Sequence, residues 1–219
     1  SGSPCIILCL MVSGLTAEIF IIYLKPAILL LENIMDTKTN WENIKKSVEK
    51  TKWRSSYEAN SYGDLFYALV RMYRPARVVE LGTKAGYSAF HIARGMATNG
   101  FGKLDCYDLW EKYQYNSNSK SMAEKNLKKY SKYVRLYLRD VVGVDRKYKK
   151  DQVDFVHIDL GNEPAMLQKV LLPWLNKVGK FVIIEGGSQE RDQIDWMIKY
   201  KKSPLSPWLR KIARQNSAI

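Results

Sequence analysis

The sequence predicts an α/β fold: a doubly wound, mainly parallel sheet in a three-layer α/β/α sandwich. Three observations carry this expectation. Between residues 78 and 187, five short apolar runs alternate with helix-like stretches, the order that builds βαβ units. The first run turns into its helix through Gly82 and Gly86. Four of the five runs end in an acid, Glu80, Asp108, Asp159 and Glu185, so carboxylates should gather along one edge of the sheet.

Each element has a local reason. Residues 41–52 are polar and helical in pattern, and residues 62–73 repeat apolar side chains at helical spacing, with Phe66, Leu69, Val70 and Tyr73 on one face. Pro75 stops that helix. Residues 78–81 form the first strand, residues 87–96 a helix, and Asn99-Gly100 a turn into a second strand at 103–108. A lysine-rich helix at 119–130 leads to a third strand at 134–140. The run 153–159 is apolar almost throughout with polar ends, as expected of a parallel strand covered on both faces. Its alternation places Phe155, His157 and Asp159 on one side and Val156 and Ile158 on the other. A helix at 163–175, a stop at Lys177-Val-Gly179, a fifth strand at 180–187 and a helix near 192–200 complete the order.

The glycine turn limits what can bind there. A dinucleotide fingerprint needs G-x-G-x-x-G with its middle glycine against a pyrophosphate, and Lys84 stands where that glycine should be. Glu80 would repel a phosphate and attract a cation. S-adenosylmethionine, a sulfonium carrying an ammonium group, is such a ligand.

Glu80-Leu-Gly-Thr-Lys-Ala-Gly-Tyr-Ser88 resembles the first motif of class I S-adenosylmethionine-dependent methyltransferases, in particular the small O-methyltransferase-like group with its E-x-G-T-x-x-G-Y-S turn. The resemblance runs from about residue 57 to 196 and implies a Rossmann-like fold. It implies cofactor contacts from Glu80, Gly82, Thr83, Gly86, Tyr87, Ser88, Asp108, Asp140, Val141 and Asp159. Asp108 lies about 20 residues past the glycine turn, where a βαβ unit delivers an acid to a ribose; the alternative is that it caps the following segment. Asp140, with Val141, would read the adenine edge, or would pair with Arg139 or Arg146 on the surface.

Methyl transfer to a hydroxyl needs in-line positioning and a proton acceptor. Asp159 and His157 are the catalytic candidates, His157 competing with the reading of a hydrogen-bonded core histidine. Some members of the group use a divalent metal. Asp159 matches one of their ligands, while Glu185-Gly186 stands where they carry Asp-Asn. Asp159, Glu185, Asn162 and Glu163 could contribute oxygens, but the metal is left unassigned. The expected activity is O-methylation of a small-molecule hydroxyl, on a sugar or secondary metabolite.

Composition bounds the rest. The chain has 219 residues, enough for one well-buried domain. Cys5, Cys9 and Cys106 show no metal or disulfide spacing, which fits a reducing, cytoplasmic setting. The net charge of +13, concentrated at 125–135 and 146–150 among tyrosines, keeps an RNA methyltransferase in play. A catalytically silent cofactor-binding domain acting through a partner is a third reading.

Four segments are expected. Residues 1–34 are apolar, too interrupted for a membrane span, and read as a membrane-surface or partner-binding helix, an apolar helix packed on the domain, or sequence upstream of a start at Met35, the last being favoured. Residues 35–76 form a helical lid region, with 57–61 at the lid. Residues 77–200 form the cofactor domain, and residues 201–219 a basic tail. The resemblance implies two further strands after the fifth, for which the sequence beyond Gly187 offers no β-branched run. The fifth strand should then be an open edge, unless the N-terminal segment or a second subunit of a homodimer covers it.

Overall fold

The computed structural model describes residues 6–13, 16–23, 53, 62–113, 118–161, 163–186, 192–193 and 195–217, with backbone alone for 6–13, 16–23, 195–196 and 212–217. The predicted helix at 41–52, the lid at 57–61, Cys5 and Asn162 lie outside these residues.

In chain order the elements are β1 (Ile6–Ser13), β2 (Thr16–Tyr23), α1 (Tyr62–Tyr73), β3 (Arg77–Leu81), α2 (Tyr87–Asn99), β4 (Lys103–Asp108), α3 (Lys120–Leu127), β5 (Val134–Leu138), β6 (Val153–Ile158), α4 (Pro164–Leu175), β7 (Val178–Glu185), α5 (Asp195–Lys199) and α6 (Ser206–Ser217). One sheet holds all seven strands in the order β2-β1-β7-β6-β3-β4-β5. The five strands β3 to β7 are mutually parallel, which is the predicted α/β architecture.

The N-terminal segment differs from every helical expectation. Residues 6–13 and 16–23 form an antiparallel hairpin, and β1 pairs in parallel with β7 from Ile6↔Phe181 to Leu10↔Glu185. The edge expected to stay open is therefore filled from the N-terminal side of the chain, and no second subunit is needed to cover it. Runs such as Ile-Ile-Leu-Cys-Leu-Met-Val have no polar face, so they suit a strand next to a doubly covered sheet better than a surface helix. The predicted basic tail also contains structure. Leu205, just before α6, and Leu209, in its first turn, are buried in the core, and α6 lies against β2.

The sheet separates two cores. On one face Val79, Leu81, Val156, Ile158, Val182 and Ile184 pack on Leu167, Leu171 and Trp174 of α4. On the other, Val78, Leu104, Phe155, Phe181 and Ile183 meet Phe66 and Val70 of α1 and Ile92 and Met96 of α2. Each fully buried Phe or Ile contributes about 1.5–3 kcal/mol by leaving water. A Cβ on Gly63 would stand 2.4 Å from the His91 ring and one on Gly95 2.7 Å from Val70, so these two glycines let α1 and α2 approach closely. The register of β6 shifts between Val153 and Phe155. There Asp154 Oδ2 accepts the Ala76 and Arg77 amides at 2.7 and 2.9 Å, and Oδ1 meets Lys180 Nζ at 2.9 Å.

Candidate functional site

Parallel strands direct all their carboxyl ends to one side, and ligands of such sheets bind beyond those ends. There β3 leads into a loop that must reverse direction within five residues before α2 begins. Gly82 (φ 89°), Lys84 (φ 51°) and Gly86 (φ 91°) all take left-handed conformations. At Gly82 the need for glycine is internal: a Cβ there would lie 1.9 Å from the Asp159 carbonyl oxygen. At Gly86 it would press on Leu127 at 3.0 Å.

Asp108, ending β4, holds this loop. Its Oδ2 accepts the amides of Thr83 and Lys84 at 2.8 and 2.7 Å, and its Oδ1 accepts the Trp110 amide at 2.7 Å. The carboxylate thus clamps the glycine loop and also holds the first amide of the short turn Trp110–Lys112. Two residues that the sequence reading missed complete the clamp. Trp110, fully buried, donates Nε1 to the Lys84 carbonyl at 2.8 Å, and Asn126 of α3 donates Nδ2 to the Ala85 carbonyl at 2.9 Å. Trp110 follows Asp108 by two positions and was open to notice; nothing near Asn126 marks it.

Glu80 and His157 lie one layer below the rim. Neither has exposed surface. Ser88 Oγ donates to Glu80 Oε1 at 2.6 Å and His157 Nδ1 lies 3.0 Å from the same oxygen. The His157 ring packs edge-on against Phe66 at 4.8 Å. Of the two roles considered for His157, this is the core position: its side chain shares a face with Phe155, as strand alternation predicted, but lies against Phe66 of α1 and not at the rim. Glu80 Oε2 and Thr83 Oγ1 are buried with no hydrogen-bond partner among the described residues. Cys106 sits beside both, and burial, then the Glu80 charge, pushes its thiol well above the usual range.

Asp159 and Glu185, at the tips of β6 and β7, form an acid pair. Burial first, then the charge and hydrogen bond of Glu185, raise the Asp159 carboxyl well above the ordinary carboxylate range, while Lys84 opposes the shift. Tyr62, opening α1, is buried beside them, and burial followed by the Glu185 charge raises its phenol to about 12.

The remaining expected residues are more peripheral. Tyr87 is half-buried on α2 in an aromatic group with Trp53 and His91, at 6.0 and 4.7 Å. Asp140 is exposed and accepts the Val142 amide at 2.9 Å in a local turn, while Val141 is buried. Glu163 pairs with Lys202. Among the described residues no three His, Cys, Asp or Glu side chains converge to hold a metal ion. No described helix is long and apolar enough to cross a membrane.

Comparison with known proteins agrees with this geometry. Residues 79–185 match the family model described as a methyltransferase domain. No curated protein matches the chain. Among solved structures, the O-methyltransferase from Bacillus cereus in complex with SAH is 21% identical, with a TM-score of 0.52 over 81% of this chain and 77% of that one. The O-methyltransferase TomG from Streptomyces achromogenes, in complex with SAM, is 19% identical, with a TM-score of 0.46 over 63% and 59%. SAH-bound Podospora anserina methyltransferase PaMTH1 is 15% identical, with a TM-score of 0.45 over 66% and 60%. The chain thus spans about three fifths of the length of the last two. The fold is that of the Bacillus cereus enzyme, and the stretch 79–185 runs from β3 through the acid-tipped end of β7. Through residues 79–185, just under half of its length, the chain is similar to methyltransferase domains, carried on a Rossmann-like α/β fold.

Proposed function

We propose that the domain binds S-adenosylmethionine beyond the carboxyl ends of β3, β4 and β6 and methylates a small-molecule hydroxyl. The observation that carries this reading is the Asp159–Glu185 pair: Asp159, partly buried, lies beside the buried Glu185, whose charge and hydrogen bond add to burial in raising the Asp159 carboxyl, and a cation bound there would favour its ionised form. A sulfonium or ammonium group fits that need and a phosphate does not.

Asp108 would face the ribose, held in place by the amides it already accepts. Asp140 and Val141 would border the adenine. Gly82, Thr83 and Gly86 would give the loop its close approach, and Tyr87 would flank it at the start of α2. Glu80 and Ser88 would act from below, fixing the loop's two ends to each other, with His157 holding Glu80. When bound, the cofactor supplies an electrophilic methyl carbon. Asp159 would take the acceptor's proton, since a carboxyl with a raised pKa is a stronger base than an ordinary one. His157, with no exposed surface, is a positioning residue here. No step is assigned to a metal. The unit that does this is residues 77–200 together with the β1–β2 hairpin.

Calorimetry with S-adenosylmethionine, its demethylated product and NAD tests the reading, repeated on Asp108→Ala. We expect binding of the first two, none of NAD, and a loss of at least about tenfold in the variant, the scale of a lost charge-assisted contact. Tight binding of NAD, or indifference to the substitution, would overturn it.

A further inference from the structure

β5 ends the sheet on the side away from the hairpin, and the charge of the molecule is concentrated around it. Residues 120–150 carry eleven lysines and arginines against Glu124, Asp140 and Asp145, a net +8 out of +13 for the whole chain. Lys125, Lys128, Lys129 and Lys132 are exposed at the start of β5, Arg135 on the strand, Arg139, Arg146 and Lys147 after its end, and Lys149 and Lys150 on the stretch that leads back to the start of β6. Of the three acids, Glu124 already pairs with Lys120 at 3.1 Å.

An exposed edge strand is often guarded by charge against pairing with another sheet. That need is met by Arg135 alone; the other cations stand on the turns at both ends. The arrangement is also aromatic. Lys129 lies over the Tyr130 ring at 5.5 Å, Lys132 over Tyr133 at 5.7 Å, and Lys147 over Tyr107 and Tyr137 at 5.4 and 5.3 Å. Tyr133 and Tyr137 are only half-buried. From Lys132 to Arg139 the stripe runs about 23 Å at strand rise. It ends at the site, because the Arg139 amide donates to the Asp108 carbonyl at 2.9 Å.

We infer that the β5 edge is a docking surface for single-stranded nucleic acid, which lies along the strand with phosphates on the flanking lysines and arginines and bases against Tyr133 and Tyr137. A cationic track with interleaved aromatic rings is the chemistry that holds an unpaired strand without reading its sequence. A lipid surface would also meet the charge, but the large apolar side chains exposed among the described residues of this stretch are Met122 and Val142, neither of them on β5, and two isolated side chains do not make an apolar face to enter a bilayer. The inference is independent of the methyl-transfer reading, since cofactor binding reports on that separately.

Fluorescence anisotropy of a short labelled oligouridylate on the full chain is the test. With about four phosphates engaged, the log–log dependence of affinity on salt should have a slope of about −3. The triple change Lys128→Glu, Lys132→Glu and Arg135→Glu should weaken binding by about tenfold or more, at unchanged S-adenosylmethionine affinity and unchanged circular dichroism. Tyr133→Ala should weaken it about fivefold or more without altering the slope, as loss of one stacked base does. A control with the same charge change at the far side, Lys199→Glu, Lys201→Glu and Lys211→Glu, should leave binding within about twofold, since screened charges that far away act weakly. Equal losses in both triple variants, binding insensitive to salt, or binding to phosphatidylserine vesicles but not to the oligonucleotide would each overturn the proposal.

Discussion

His157 Nδ1 lies 3.0 Å from Glu80 Oε1 in a space that admits no solvent, joining β6 to β3 just beneath the glycine loop. Because a carboxylate only accepts, His157 carries its proton on Nδ1. The same oxygen takes the Ser88 hydroxyl, so three elements meet on one atom.

Removing either donor should therefore be costly. His157→Ala should destabilise the fold by about 3–5 kcal/mol, because it leaves a buried acid short of a partner and opens a cavity beside Phe66. Ser88→Ala should cost about 1–3 kcal/mol. Urea unfolding checks both. If His157 only positions Glu80, cofactor affinity in His157→Gln, which keeps a side-chain donor, should recover most of what His157→Ala loses.

Glycine loop substitutions should separate two kinds of strain. Gly82→Ala meets the Asp159 carbonyl at 1.9 Å as well as a left-handed φ, and neither backbone can move without shifting a strand. A loss of more than about 3 kcal/mol is expected. Gly100→Ala, at φ 83° with nothing within 4 Å, should cost only about 1 kcal/mol. Thermal melting of the two variants distinguishes them.

The acid pair makes stability depend on pH. The Asp159 carboxyl is raised in the folded state, so the native chain holds more protons than the unfolded one between the ordinary carboxylate value and the raised one. Its contribution is fully present below about pH 4 and is lost as pH climbs through the folded value, at up to about 1.4 kcal/mol per pH unit. Asp159→Asn should flatten that slope in urea titrations from pH 4 to 8. By the same linkage, binding a cationic nucleoside should release a proton, read as a calorimetric enthalpy that varies with the buffer.

The hairpin offers a backbone test. Leu8 is paired with Ile183 in the middle of the β1–β7 ladder. Leu8→Pro should break that ladder, since proline cannot donate and is confined to edges. The amides of residues 181–185 should then exchange with solvent at least about tenfold faster, and the protein should tend to associate through the uncovered edge.

Much of the site could be read without coordinates. The spacing of Glu80, Gly82, Gly86 and Asp108 follows from the geometry of one βαβ unit, which is local, and Asp108, Asp159 and Glu185 mark where β4, β6 and β7 stop, while Glu80 lies one residue short of the end of β3 and is buried. Alternation in β6 likewise fixed the faces of Phe155 and His157. The functional direction of those groups was not local. Asp108 has a loop amide to serve because β4 happens to end beside Thr83, and Asn126 reaches the loop from a helix forty residues away in sequence. The N-terminal runs are the clearest case. Two eight-residue apolar stretches flanking Gly14-Leu15 are a hairpin pattern, but their destination at the β7 edge depends on a long-range pairing that no window of sequence contains.

By itself, then, the sequence determined the order of strands and helices from α1 to α5, the glycine turn, the acids at the tips of β4, β6 and β7 and the basic excess around β5, because each follows from periodicity, chain stereochemistry or charge within a few residues. Only the tertiary structure decided that His157 turns into the core, that Asp159 and Glu185 share a hydrogen bond, and that the hairpin closes the sheet. Those outcomes depend on which strands become neighbours, and neighbours are selected by burying apolar surface across the whole chain.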